Sequence, residues 1–414
     1  MRIPRTLAII LAGGEGSRMD VLTAARAKPS LRVAGSYRLI DVALSNLANS
    51  QISDVWIVEQ YLPHTLNAHL SAGRPWDLDR SHGGLQILAP FTGGPGEGFA
   101  TGNSDSLWRF REQIAAFGAD LVLVLSADHL YTLDLRDVIA THTDAKADLT
   151  IVTTSHDDDA SRHGVVKATP RGRVSAFWYK PEEPPTDLVA TEVFCFGADA
   201  LVEALEELGA GPGAKESGLE DYGDDLVPWF VENRRTVEHR LEGYWRDIGT
   251  IESYWRAHMH ILDGMGPALD DADWPIRSAQ PQLLPAKVEE GAVVSESLLA
   301  AGSSVAGTVR RSVLSPGARV DPGAEVTDCV LLDGARVGAG VHLKGCIVDV
   351  GAQVVGPAEP GADGAELGTG GTSGRADGIR EVGAEGQVTV IGPDGAVAEV
   401  DEVGGSSDGT AASA

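Results

Sequence analysis

The sequence predicts an α/β domain built on a largely parallel sheet, followed by a short parallel β-helix. Three observations carry this expectation. Residues 6–262 alternate apolar runs of strand length with amphipathic segments of helix length, the pattern of strands joined by crossover helices. From Val309 onward the chain repeats with a period of 17 residues. Between the first apolar run and the first amphipathic segment lies a loop rich in glycine and in basic residues.

The chain opens on the apolar run Leu7–Leu11, expected as a buried strand, which passes directly into LAGGEGSR. Gly13, Gly14 and Gly16 fall within four residues, and Arg18, Arg26 and Lys28 follow. Glycines let backbone N–H groups approach a ligand closely, and the cations supply charge, so the loop is shaped to cradle phosphates. It is not a P-loop, because no lysine stands at the required offset. It is not a dinucleotide fingerprint either, because the third glycine position is Met19. Further along, Leu39–Leu47 reads as a helix, Val55–Val58 as a strand and Ser104–Phe117 as a helix. Leu121–Leu125, Leu149–Val152 and Val193–Phe196 read as strands. Ala198–Leu208, Asp221–Val231 and Thr250–Leu262 read as helices.

Ligands of such sheets bind at the carboxyl ends of the strands, where the glycine loop and the segment SADHLY (Ser126–Tyr131) both fall. Asp128 in that segment either binds Mg²⁺, which prefers oxygen ligands shared with phosphates, or caps the next helix. Asp247 in YWRDIGT is either a second metal ligand or the N-terminal charge of a helix. Lys180 in WYKPEEPP is held extended by the proline after it, and either binds a sugar phosphate or points to solvent. His129, His163 and His342 have no partner nearby in sequence and read as structural. No Ser/His/Asp or Cys/His arrangement is evident.

Residues 264–290 contain Pro and Asp without a clear period and read as a linker. In the repeat, Val309, Val326 and Leu343 correspond, as do Val313, Val330 and Ile347, and Val320, Val337 and Val354. Gly317, Gly334 and Gly351 mark one turn. An earlier copy, Val294, Leu298 and Val305, fits a period of 15, giving four coils with stacked aliphatics. Cys329 and Cys346 share a phase beside Val330 and Ile347, which are expected to point inward; the cysteines are expected to face outward. After Pro357 the chain is rich in Gly and Ala and is expected to be poorly ordered, apart from Val388–Ile391. The expected organisation is therefore a first domain over 1–263, a linker over 264–290, a β-helix over 291–356 and a tail over 357–414.

A chain of 414 residues has room for two or three domains. Its net charge of −27 argues against nucleic acid or an anionic membrane as a general partner. Residues 1–40 break that rule, with seven Arg/Lys against two acids, Glu15 and Asp20, so the surroundings of the glycine loop suit an anionic ligand. No apolar run approaches the ~18 residues of a membrane span. The N-terminus shows no cleavage-site pattern, and three cysteines without framework or metal-ligand spacing point to the cytoplasm.

Together these segments resemble the bacterial glucose-1-phosphate adenylyltransferases, the ADP-glucose pyrophosphorylases. The resemblance covers about residues 6–355 and rests on LAGGEGSR, LTAARAKP, YRLIDVALSNLANS, EQYLPHTLNAHL, SADHLY, YWRDIGT, WPIR and LPAK, in the family's order. It implies a Rossmann-like nucleotidyltransferase domain followed by a left-handed β-helix. It also implies a reaction: ATP and glucose 1-phosphate give ADP-glucose and pyrophosphate, in glycogen and α-glucan synthesis. The implied nucleotide-binding positions are Leu11, Ala12, Gly13, Gly14, Gly16, Gln60 and Gly102. Arg18 would hold the triphosphate and Lys28 the leaving pyrophosphate. Asp128 would be catalytic and, with Asp247, would hold Mg²⁺; Lys180 and Glu192 occupy the sugar-phosphate positions. A cytoplasmic tetramer answering to metabolic effectors is implied, or a hetero-oligomer with a catalytic paralogue. Several positions depart from the family pattern. Asp20 stands two residues after Arg18, Leu62 replaces a basic residue, and GNSDS replaces Gly-Thr-Ala-Asp-Ala. Tyr179 precedes Lys180 in place of Glu, and Ala190-Thr191-Glu192 replaces Ser-Met-Gly. These changes fall mostly on the sugar side, so the alternative expectation is a weakly active regulatory subunit. A β-helix acyltransferase fits less well, since only His342 lies within the repeats.

Overall fold

A computed structural model describes residues 4–14, 16–91, 98–155, 160–210, 217–356, 380–383, 388–393 and 397–399. Among the described residues, no helix is long and apolar enough to cross a membrane. The chain divides into two compact units. The first holds Met1–Val33, Tyr37–Gly249 and Gly264–Gln280; the second holds Ala34–Ser36, Thr250–Asp263 and Pro281–Ala414.

The first unit is an α/β sandwich. Its centre is β1 (Thr6–Ala12), buried at every position because helices cover both faces of a parallel sheet. After α1 (Leu39–Asn49) comes β2 (Asp54–Glu59), then α2 (Pro63–Leu70) and β3 (Gly84–Leu88). Next are α3 (Asn103–Arg109), α4 (Arg111–Phe117), β4 (Leu121–Ser126) and the short β5 (His129–Tyr131). They are followed by α5 (Leu135–Ala145), β6 (Leu149–Ser155), β7 (Gly164–Ala168), β8 (Val174–Tyr179) and β9 (Leu188–Gly197). The unit closes with α6 (Ala198–Leu208), α7 (Leu226–Asn233), β10 (Thr236–Arg240) and β11 (Trp245–Asp247). The main sheet runs β8-β7-β9-β4-β1-β2-β3, with β6 paired to β9 and β10 paired to β6. β4, β1, β2 and β3 are mutually parallel, and β9 lies antiparallel to β4. β5 and β11 form a separate antiparallel pair.

The expected strands all appear, and two expected helices change shape. Ser104–Phe117 is two helices, because the backbone leaves the helical region at Phe110 (φ −101°, ψ 9°) and restarts at Arg111. The helix expected from Asp221 starts at Leu226. Residues 221–225 form a turn first, with Asp224 N donating to Asp221 O and Val227 N to Tyr222 O. The elements α2, β3, β5, α5, β7, β8, β10 and β11 were not expected. Residues 264–280, expected as linker, pack on α1. Trp274 Nε1 donates to Asn46 Oδ1, Asn49 Nδ2 to Pro275 O, and Arg277 N to Ser45 Oγ.

The second unit is a parallel β-helix with three faces. One sheet stacks Lys287–Val288, Ser304–Val305, Arg319–Val320, Arg336–Val337 and Gln353–Val354. A second stacks Val293–Ser295, Thr308–Arg310, Glu325–Thr327, Val341–Lys344 and Arg380–Val382. The third stacks Leu298–Leu299, Val313–Leu314, Val330–Leu331, Cys346–Val348 and Thr389–Ile391, with Val397–Glu399 antiparallel at its end. All three expected aliphatic columns pair in register, including the earlier copy: Val294↔Val309↔Val326↔Leu343, Leu298↔Val313↔Val330↔Ile347 and Val305↔Val320↔Val337↔Val354.

Two expectations for this unit are corrected. After 357 the strand Arg380–Val382 joins Thr389–Ile391, which lies in the excepted segment, in a fifth coil; the expectation for 357–379, 384–387, 394–396 and 400–414 falls outside the described residues. Cys329 and Cys346 face inward, not outward. Both are fully buried in the aliphatic core beside Leu331 and Val348, while Val330 and Ile347 are buried outside that cluster. The cause is the corner before each cysteine. Arg311, Asp328 and Gly345 occupy one position of successive coils, each with positive φ (43°, 54° and 65°). A left-handed residue breaks the strand alternation, so the next residue turns inward. Ser312, Cys329 and Cys346 then stack, with Cys329 N donating to Ser312 Oγ and Cys346 N to Cys329 Sγ at 3.3 Å. The thiols are free.

Helix α8 (Ile251–Leu262), expected with the first domain, groups with this unit. Arg311 explains the attachment. Its guanidinium donates to both oxygens of Asp263 at 3.0 and 2.8 Å and to Asp328 Oδ1 at 2.5 Å. Trp255 Nε1 donates to Asp328 O at 2.7 Å. Replacing Arg311 by Ala is expected to destabilise the protein by about 1 kcal/mol, the value of charged hydrogen bonds discounted for solvent screening. Arg311→Gly should cost less than Arg311→Ala, because glycine relieves the left-handed corner. Thermal unfolding of both variants checks this order.

Candidate active site

The site assembles at the carboxyl ends of β1, β2 and β4. The glycine loop leaves β1 and turns on Gly16, whose φ of 71° suits glycine. Its carbonyl accepts from Met19 N and from Thr23 Oγ1, each at 2.9 Å, which fixes the loop. Among the described residues, a Cβ at Gly14 would meet nothing within 4 Å. A Cβ at Gly13 would meet Gln60 Nε2 at 2.7 Å, and Gln60 Oε1 accepts from Ala100 N at 2.5 Å. Gln60 thus sits between the glycine loop and the segment leading to Gly102. Gly102 packs on the backbone of Glu220, where a Cβ would collide at 2.4 Å. Leu11 and Ala12 are buried strand residues, so only their backbone can reach a ligand. Beside Gln60 lies a small cleft, whose lining includes Val58, Phe91, Ala100, Ser106 and Arg109. The side chain of Asp20 lies outside the described residues.

Next to the loop, the β5·β11 ladder pairs Asp247 with His129, which brings the two sequence-distant aspartates together. Lys28 Nζ lies 2.5 Å from Asp128 Oδ2 and 4.0 Å from Asp247 Oδ1. Ser126 Oγ donates to Asp128 Oδ1. A Cβ at Gly249 would meet Asp247 Oδ2 at 2.8 Å and Arg18 Nη2 at 3.5 Å, so glycine lets the arginine approach. Burial opposes the Lys28 ammonium, but Asp128 and Asp247 hold its pKa above the usual value. Burial likewise opposes both carboxylates, yet Lys28 holds Asp128 below the usual range, and the hydrogen bond from His129 holds Asp247 below it.

His129, expected as structural, stands at the centre of this cluster. Its Nδ1 faces Thr191 O at 3.0 Å, and so donates there. Its Nε2 lies 3.4 Å from Asp247 Oδ1, 3.6 Å from Asp128 Oδ1 and 3.7 Å from Glu192 Oε2. Burial pushes the imidazole pKa down, but the hydrogen bond to Asp247 and the charges of Asp128 and Glu192 override it and raise it to about 9. The signal in the sequence was its place directly after Asp128 at a strand's carboxyl end; its carboxylate partners come from distant strands. His163 contacts Trp245 edge-on at 5.2 Å, and Trp245 contacts His129 in the same way. His342 lies in register between Glu325 and Glu381 on the β-helix.

Glu192 reaches the cluster through a bulge. In β9, Ala190 pairs with Thr153 and Phe194 with Ile151, so three residues of β9 oppose one of β6. Glu192 takes φ 57° inside this bulge, which re-aims its side chain. Lys180 lies further out, and its backbone is left-handed (φ 47°), not extended as the following proline suggested. Its Nζ donates to Tyr179 OH at 2.6 Å, and Tyr179 OH donates to Asp221 Oδ2 at 2.8 Å.

One atom each of Asp128, His129 and Asp247 lie within 4.8 Å of one another, a group able to hold a metal ion. The two carboxylates are hard oxygen donors, and an ammonium already sits between them; both features fit a divalent cation such as Mg²⁺.

Comparisons with known proteins cover both parts of the chain. A family profile described as nucleotidyl transferase matches residues 7–264, and one described as GlmU-like, C-terminal hexapeptide, matches residues 281–368. The chain is 40% identical over 301 residues to the glucose-1-phosphate adenylyltransferase of Thermomicrobium roseum, covering 72% of this chain and 69% of that protein. It is 37% identical over 325 residues to the enzyme of that name from Thermotoga maritima, covering 78% and 76%. It is 36% identical over 329 residues to that of Bacillus thuringiensis, covering 79% and 86%. A nucleotidyltransferase sheet with two convergent aspartates, a hexapeptide β-helix and this extent of identity make the chain a member of the glucose-1-phosphate adenylyltransferase family.

Proposed function

We propose that the protein is a sugar-1-phosphate adenylyltransferase that accepts ATP and glucose 1-phosphate and makes ADP-glucose and pyrophosphate for α-glucan synthesis. The observation that carries this is the convergence of the glycine loop, Lys28, Asp128 and Asp247 at the carboxyl ends of the central strands. A phosphate oxygen of the sugar phosphate attacks the α-phosphorus of ATP. The bond from that phosphorus to the bridging oxygen breaks, and pyrophosphate leaves. Catalysis of this step is positioning and charge neutralisation. The backbone of Gly13, Gly14 and Gly16 cradles the triphosphate, with Arg18 beside it, and Gln60 and Gly102 bound the nucleobase. Lys28 follows the charge that develops on the leaving pyrophosphate. Asp128 and Asp247 hold Mg²⁺, which when bound supplies Lewis-acid stabilisation of phosphate charge. Lys180 and Glu192 face the sugar phosphate. The protein works in the cytoplasm as a homo-oligomer, a tetramer in this reading.

The test is pyrophosphate release by the purified chain with ATP, glucose 1-phosphate and Mg²⁺. Turnover that needs all three is expected. ATP binding without release from any sugar 1-phosphate would replace this reading with that of a regulatory subunit.

A further inference from the structure

The end of β2 carries a half-paired carboxyl. Glu59 is the last residue of that strand and is only 3% exposed. Its Oε1 accepts from Asn67 Nδ2 of α2 at 2.9 Å. Its Oε2 is buried, and among the described residues no group donates to it; the same holds for Asn67 Oδ1. Two buried acceptors without a donor therefore belong to the two side chains of one hydrogen bond. An ionised Glu59 would bury charge on an oxygen with no donor, which is costly. The charged groups around it are committed elsewhere. On α2, His69 is bound to Asp41 at 2.5 Å, and His64 is exposed at the helix start. From α3, Arg109 lines the same cleft, but its Nε and Nη2 are each 2.9 Å from Asp105 Oδ2. On the sheet side Glu59 pairs with Ala12 of β1.

A proton on Glu59 Oε2 answers both orphans at once. A protonated carboxyl presents a donor beside an acceptor, and a carboxamide presents the complementary pair. Turning the Asn67 amide over does not remove the need. Its oxygen would then face Glu59 Oε1 at 2.9 Å, acceptor against acceptor. Burial accordingly raises the Glu59 carboxyl above its usual range, and the Asn67 hydrogen bond opposes this without reversing it. The pair also has a mechanical consequence. Only Gln60, Tyr61 and Leu62 connect β2 to α2, and Leu62 takes φ 44° at the helix start. The bond from Glu59 to Asn67 closes this short connection across its ends. Gln60 stands inside it, with Oε1 accepting from Ala100 N and Nε2 beside Gly13.

We propose that Glu59 is kept as the neutral acid, its Oε2–H donating to Asn67 Oδ1, and that this acid–amide pair positions Gln60 for the nucleotide. The role toward the nucleotide rests on the adenylyl-transfer reading above; the protonation of Glu59 does not. Glu59 is a positioning residue, acting through Gln60. The folded chain binds the Glu59 proton more tightly than the unfolded chain does. The pair's stabilisation is therefore complete below the ordinary carboxyl range and is lost as pH rises through the raised pKa.

The experiment compares the parent with Glu59→Gln and Asn67→Leu at about pH 5, pH 7 and pH 9. Glutamine supplies an N–H where the acid has its O–H, and it has no proton to lose. At neutral pH the infrared difference between the parent and Glu59→Gln should show the carbonyl band of a protonated carboxyl. The thermal midpoint of Glu59→Gln should lie near the parent's at the acid end and exceed it by about 3 °C or more at the alkaline end. In calorimetric titrations with ATP and Mg²⁺, the parent should bind about fivefold more weakly at the alkaline end than at neutrality. Glu59→Gln should bind alike at both, and Asn67→Leu should bind about fivefold more weakly than the parent already at neutrality. His129 titrates in parent and variant alike, so the difference between them reads Glu59. A missing carbonyl band, or midpoints that keep the same gap at every pH, overturns the neutral acid. ATP affinity with the same pH dependence in the parent and in Glu59→Gln overturns the positioning of Gln60. ATP that binds the parent at no pH overturns the adenylyl-transfer reading and the positioning role with it, while the band and the midpoints still decide the state of Glu59.

Discussion

Asp128→Asn is expected to lower kcat by about 1,000-fold with ATP and a sugar 1-phosphate, and Asp247→Asn by a similar factor. The amide keeps the size of the side chain, so the fold should survive; what is lost is charge. Asp128 accepts from Lys28 Nζ and from Ser126 Oγ and faces His129 Nε2 at 3.6 Å. Asp247 faces the same His129 nitrogen at 3.4 Å. Both carboxylates are ionised at neutral pH, since their neighbours hold each below the usual range. Either amide leaves one carboxylate to hold a dication, which weakens cation binding and misplaces the phosphates. Because the pair acts as one device, the double variant should be hardly slower than either single variant. Steady-state rates of the three variants, with circular dichroism to confirm folding, provide the check. Near-normal activity in either single variant would remove that aspartate from the site.

Local signals in the sequence singled out these two residues, with a helix cap for Asp128 and a helix-end charge for Asp247 as the open alternatives. Asp128 follows an apolar strand, and Asp247 precedes a Gly-Thr helix start. The glycine loop was legible for the same reason, since three glycines and three cations carry their meaning locally. The repeat was legible because a β-helix writes its geometry into a period: every expected aliphatic column pairs in register.

What the sequence hid depends on long-range placement or on unusual backbone. His129 acquires its role only when β11 and the β9 bulge bring Asp247 and Glu192 to it. Glu192 is aimed by a positive φ at a residue that is not glycine, which no propensity announces. The inward cysteines share that cause, since Arg311 and Asp328 adopt left-handed corners without glycine. The attachment of α8 to the β-helix unit was hidden differently. Its partners Arg311 and Asp328 lie far along the chain from Asp263 and Trp255. Local pattern therefore reached the glycine loop and the two aspartates, while the aim of Glu192 and the partners of His129 needed tertiary structure.

Lys28→Met should separate two roles that the proposed function gives to one ammonium. Turnover should fall by about 100-fold, because the positive charge that meets the leaving pyrophosphate is gone. Binding of a divalent cation to the protein without nucleotide should instead become tighter. In the structure the ammonium lies 2.5 Å from Asp128 Oδ2 and 4.0 Å from Asp247 Oδ1, on the carboxylates that a dication needs. A dication must displace it and then tolerate a like charge close by, and in a site this buried that repulsion is poorly screened. Methionine fills a similar volume without competing or repelling. Calorimetric titration with Mn²⁺ as the probe measures one effect, and pyrophosphate release measures the other. If the variant binds Mn²⁺ more weakly than the parent, the ammonium and the cation do not share these carboxylates. Lys28 would then be a structural partner of Asp128, not the charge that travels to the phosphates once the nucleotide arrives.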